Sequence, residues 1–127
     1  MSIKAKYLTR DFMVSEFACR CGQKSCKAPP MLPGFMTKLQ NLRDEWGKAL
    51  TPTSGMRCPD YNAQVGGAPA SQHLRGNAAD FTFNEAATLK RFVAMAEKHG
   101  FGGIGVGKRL VHLDDGAPGR RWQYHDK

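Results

Sequence analysis

The run from Ala70 to Phe83, ASQHLRGNAADFTF, restricts the folding of this chain more than any other stretch. His73 and Asp80 sit seven residues apart in it, a spacing that two helical turns would place on one face. Gly76 and Asn77 oppose an uninterrupted helix, because both are poor helix-interior residues. Asp80, Phe81, Thr82 and Phe83 then alternate polar and aromatic, the pattern of a half-buried strand. His73 is therefore expected on a loop or short turn, and Asp80 in a strand. A metal ion is one reason for a loop imidazole and a strand carboxylate to meet. A hydrogen-bonded structural pair is the competing reading.

The rest of the chain supplies one domain, residues 1–127, with an irregular, Cys-, Gly- and Pro-rich segment over 1–33 packed on it. From Pro33, the residues Phe35, Leu39, Leu42 and Trp46 form one apolar stripe and predict a helix. A short strand is expected near Leu50 to Thr53, then a turn with a short helix through SGMRCPDYNAQVGG. A second long helix is expected from an Asn84 cap to a stop at Gly100. Strands are expected at Ile104 to Val106, Leu110 to Asp114 and Arg121 to Tyr124. Helices first and strands late imply an α+β fold with two main helices and a small antiparallel sheet.

The formal charge is +8, which favours a polyanionic partner such as nucleic acid, an anionic membrane face or a wall polymer. The basic residues are scattered and no nucleic-acid motif is present, so nucleic acid is not the expected partner. No apolar run approaches the roughly 20 residues of a transmembrane helix. The opening MSIKAKYLTRDFMVSEF lacks the apolar core of a secretory signal, so synthesis in the cytoplasm without a cleavable signal is expected.

Alternation through RLVHLDDG puts Leu110, His112 and Asp114 on one strand face. His73, Asp80 and His112 then make three nitrogen and oxygen donors, leaving a fourth tetrahedral position for water, as in a catalytic zinc site. Ser71, His73, Gly76, Ala78 and Asp80 also match S-x-H-x-x-G-x-A-x-D at every fixed position. In this the chain resembles the zinc D-alanyl-D-alanine carboxypeptidases and related peptidoglycan peptidases, phage endolysins among them; the sonic hedgehog signalling domain shares their fold and zinc site. The TSGMRC segment resembles the family's S-G-x-R, VHLDDG its last-ligand strand, and MVSEFACRCG the opening of phage-type members. The likeness runs from about residue 12 to residue 124.

The resemblance implies one catalytic Zn2+ held by His73, Asp80 and His112. It makes Arg57 the group that holds a substrate carbonyl or developing oxyanion, with Ser71 either bonding substrate or anchoring its own turn. Many members carry a glutamate three residues before the last histidine as general base, but Arg109 stands there. Asp114 is the nearest carboxylate, and is either the general base or a hydrogen-bond support for His112. Trp122 and Tyr124 either line the substrate cleft or belong to the core. His99 and His125 are not expected to be ligands.

The implied activity is hydrolysis of an amide bond in the peptidoglycan stem or cross-link, by a phage lysis enzyme or virion-associated wall hydrolase. A holin-type release partner would deliver such an enzyme to the wall or periplasm. A non-catalytic zinc-containing module of the same fold is the alternative. Cys19, Cys21, Cys26 and Cys58 leave three readings open: a disulfide through Cys58, a second zinc site, and free buried thiols.

Overall fold

The computed structural model describes residues 6–26, 30–125 and 127. It contains helix α1 (Val14–Phe17), α2 (Pro33–Trp46), α3 (Pro59–Gln64) and a 3-10 turn at Gln72–Arg75. Strand β1 (Ala78–Thr82), helix α4 (Ala86–Lys98), and strands β2 (Gly103–Val106), β3 (Leu110–Asp114) and β4 (Arg120–Gln123) follow. The fold is α+β. None of the described helices is long and apolar enough to cross a membrane.

The four strands lie in the order β1-β3-β2-β4. The sheet is mixed rather than purely antiparallel, because β4 runs parallel to β2. Strand β3 already has β1 on one edge and β2 on the other, so the returning chain can add only at an outer edge. It takes the free edge of β2.

One face of the sheet belongs to the core. Ala79, Phe81, Ile104, Val111 and Leu113 point into it and meet helices α2 and α4. Helix α2 starts with Pro33 in its first turn, buries Phe35, Met36, Leu39 and Leu42, and ends at a left-handed Gly47. Helix α4 buries Leu89, Phe92 and Ala96 at helical spacing. Its cap is Glu85 rather than the expected Asn84, a shift of the kind usual at helix ends.

Two segments behave differently from the sequence expectation. Leu50 to Thr53 forms no strand; Pro52 lacks an amide donor, and pairing shrinks to a single bridge between Ser54 and Asp80. Residues 53–57 instead run as a hydrogen-bonded strap. The Thr53 amide donates to Asp80 O at 2.8 Å, Met56 N to Phe17 O at 2.8 Å, and Arg57 N to His73 O at 3.1 Å.

The N-terminal segment is mostly irregular, yet it is part of the core rather than a cover on it. Phe12 and Phe17 are fully buried and meet edge to face, with ring centroids 5.4 Å apart. Phe12→Ala should therefore cost about 3–5 kcal/mol of stability, read from urea unfolding. A loss below about 1 kcal/mol would mean that this segment only lies on the surface.

Candidate metal centre

The sheet face opposite the helices carries the polar chemistry. Antiparallel register sets Asp80 of β1 directly across from His112 of β3, and His112 across from Gly105 of β2. Parallel register sets Gly105 beside Trp122 of β4. One row of the sheet thus reads Asp80, His112, Gly105, Trp122. Glycine is required in that row, because a Cβ at position 105 would collide with the indole. The indole instead covers His112, with ring centroids 5.2 Å apart.

His73 reaches the same place from outside the sheet. Ser71 caps the 3-10 turn, its hydroxyl oxygen accepting from His73 N at 3.2 Å. Gly76 ends the turn in the left-handed conformation, with its Cα packed so close to Pro30 O that no side chain fits. The chain therefore reverses between His73 and Asp80, and brings them together.

His73 Nε2 lies 3.2 Å from Asp80 Oδ1, and His112 Nδ1 lies 2.9 Å from the same oxygen. Donor atoms of the three residues all fall within 4.8 Å of one another, and all three residues are buried. The far nitrogens are held by oxygens. His73 Nδ1 donates to Gly55 O at 2.6 Å, and His112 Nε2 donates to Asp114 Oδ2 at 2.7 Å. Each imidazole thus has its far nitrogen held by an oxygen and its near nitrogen on Asp80 Oδ1, so that loss of the near proton would free a lone pair for a metal ion, as in the outer-sphere arrangement common to metal-binding histidines.

The electrostatics agree with that donor set. Burial pushes the Asp80 carboxyl up, but hydrogen bonds and charge from His112 and His73 outweigh it and hold it well below the usual carboxylate range. Burial likewise opposes charge on His112, yet Asp114 and Asp80 raise its affinity for a proton. A pocket that favours a proton there also favours a cation in its place. Two imidazoles and one carboxylate suit Zn2+, and all three residues line the cleft.

Arg57 and Asp114 contact the candidate donors from outside. Arg57 Nη2 donates to Asp80 Oδ2 at 3.1 Å, Nη1 to Asn62 Oδ1 at 3.2 Å, and Nε to Ser54 Oγ at 3.1 Å. Asp114 is buried; its Oδ1 accepts from Gly116 N at 2.9 Å and pairs with Arg120. Burial raises the Asp114 carboxyl, but His112, the Gly116 amide and Arg120 bring it down to about 2. Arg109, at the position of the missing glutamate, is exposed and does not line the cleft.

The cleft above these donors encloses about 440 Å3, with Ser71, Arg120, Trp122 and Tyr124 on its walls. His99 instead pairs with Glu45 at 2.8 Å, and His125 is exposed. Sequence reasoning missed Arg120, Asn62 and the Gly55 carbonyl. Alternation from Trp122 back to position 120 would have found the arginine. Nothing in sequence marks the other two, Gly55 in the strap and Asn62 in α3, which acts through Arg57.

Two buried imidazoles and a buried carboxylate converging beneath a cleft make a donor set that could hold a metal ion. A family model described as Peptidase M15 matches residues 10–114, and the chain belongs to that family of metallopeptidases, which is zinc-dependent in general. No curated protein matches the chain.

Asp114→Asn should lower zinc affinity by roughly 10–100-fold, read by competition with a chromophoric chelator, because it weakens the hold on His112 Nε2–H. Unchanged affinity would show that the carboxylate does not support the ligand.

Proposed function

We propose that the protein is a zinc-dependent peptidoglycan peptidase that hydrolyses an amide bond of the stem peptide or cross-link. The observation that carries this reading is the convergence of His73, Asp80 and His112 at the foot of an open cleft in a Peptidase M15 chain. Zinc held there would supply Lewis acidity, which polarises a carbonyl and makes water acidic enough to serve as a nucleophile.

The protein's own residues do the rest. Arg57 pairs with Asp80 and aims it, and its guanidinium borders the space where a substrate carbonyl would lie, so it also steadies developing negative charge. Asp114 works through His112, because the imidazole, an amide and Arg120 already engage its oxygens. Of its two sequence roles, positioning is the one this geometry supports. Trp122 and Tyr124 form a wall against which a peptide can pack.

The cleft lining sets three cations, Arg57, Arg120 and Lys127, against two carboxylates, Asp80 and Asp114. With the metal's charge added, it attracts the carboxylate-bearing peptides of the wall. The MVSEFACRCG opening, which resembles phage-type members, supports a lysis or virion-associated wall hydrolase delivered by a holin-type partner.

Digestion of purified sacculi should release new peptide ends, lost with chelator and restored by zinc, with the bond identified by mass spectrometry. Intact sacculi from a zinc-loaded protein would leave the non-catalytic module. Arg57→Gln at saturating zinc should lower kcat by about 10²–10³-fold. Asp114→Asn at saturating zinc should retain measurable turnover, whereas complete loss there would make Asp114 the general base.

A further inference from the structure

We propose that Cys19, Cys21, Cys26 and Cys58 form a second metal centre, a structural zinc site of four thiolates independent of the histidine site. Their four Sγ atoms all lie within 4.8 Å of one another, although Cys58 is far along the chain from the other three. A tetrahedron with Zn–S bonds of about 2.3 Å needs sulfur separations of about 3.8 Å. Small side-chain adjustments close that difference.

The backbone around the cluster is arranged for sulfur acceptors. Gln23 N donates to Cys21 Sγ at 3.4 Å across a left-handed Gly22, a tight knuckle that turns the amide back onto the thiol. Cys58 N donates to Cys19 Sγ at 3.3 Å, and Tyr61 N donates to Cys58 Sγ at 3.5 Å. Cys19, Cys21 and Cys58 thus each accept an amide hydrogen bond at sulfur. Four thiolates on one Zn2+ leave a net negative charge, and Arg20 stands between Cys19 and Cys21 in sequence.

Disulfide pairing would use the sulfurs two at a time and gives no reason for all four to converge. A tetrahedral ion does. The site also fills a structural need, because the chain from Cys19 to Cys26 forms neither helix nor strand. An ion there would tie this segment to Cys58, next to Arg57 in the strap that also presents Gly55 O to His73. The second centre would thus hold the scaffold of the first, as metal clips do in chain segments that lack a core of their own.

The test uses the whole protein purified under reductant. Elemental analysis should find about two zinc ions per chain, and His73→Ala should retain about one. Cobalt substitution gives a second readout that needs no variant. Four thiolates produce an intense near-ultraviolet sulfur-to-cobalt charge-transfer band, which a site of two histidines and one aspartate cannot produce. Cys58→Ser should abolish or greatly weaken that band. Its absence from the cobalt-loaded protein would overturn the proposal, as would one zinc per chain with none left in His73→Ala. Recovery of the four cysteines as two disulfides would do the same.

Discussion

The cross-strand pairing of Asp80 with His112 is the contact on which the rest of this molecule depends. Side chains alternate along a strand, so a slip of one residue between β1 and β3 would turn His112 toward the helices and bring Val111 or Leu113 to the open face. The buried set Ala79, Phe81, Val111 and Leu113 holds the register from the other side of the same two strands. Hydrophobic burial and donor convergence therefore demand the same alignment. The core specifies the site, because the two are opposite faces of one ladder.

Once that register is set, the outer strands have to make room. The next row of the sheet reads Ala78, Asp114, Gly103, Arg120, and a Cβ at position 103 would occupy the space of the Asp114 carboxylate. Together with Gly105 under Trp122, this makes β2 a strand with small residues toward the cleft and Ile104 and Val106 toward the core. Glycine weakens a strand interior, and here it gives a carboxylate and an indole their places beside His112. Stability is traded for a site built on rigid elements.

Asp114 orients His112 from within β3, but the contacts that orient His73 and Asp80 come from parts of the chain without regular structure. The strap over residues 53–57 supplies the Gly55 carbonyl to His73 and the guanidinium of Arg57 to Asp80, and is itself anchored on Phe17 O and Asp80 O. Burial of Phe12 and Phe17 thus reaches the metal donors through two hydrogen-bonded layers. This explains why an irregular N-terminal segment belongs to the core of the domain. Its aromatic rings fix where the strap lies.

Much was legible before any coordinates. The stripe through Phe35, Leu39 and Leu42 marked α2, and alternation placed His112 and Asp114 on one face of β3. Glycine and asparagine after His73 marked a turn rather than a helix. These are local properties, carried by periodicity and backbone preference within a few residues. The parallel attachment of β4, the collapse of the expected strand at Leu50 to Thr53 and the engagement of Asp114 with Arg120 were not legible. Each is settled by which edges and partners remain once other elements have packed. By itself the sequence determined the two long helices, the faces of β1 and β3 and the residue types that could serve as donors, but not the short helix α1. Only the tertiary structure decided which oxygen meets which ring nitrogen, because hydrogen-bond partners distant in sequence become neighbours only after the hydrophobic core has brought their elements together.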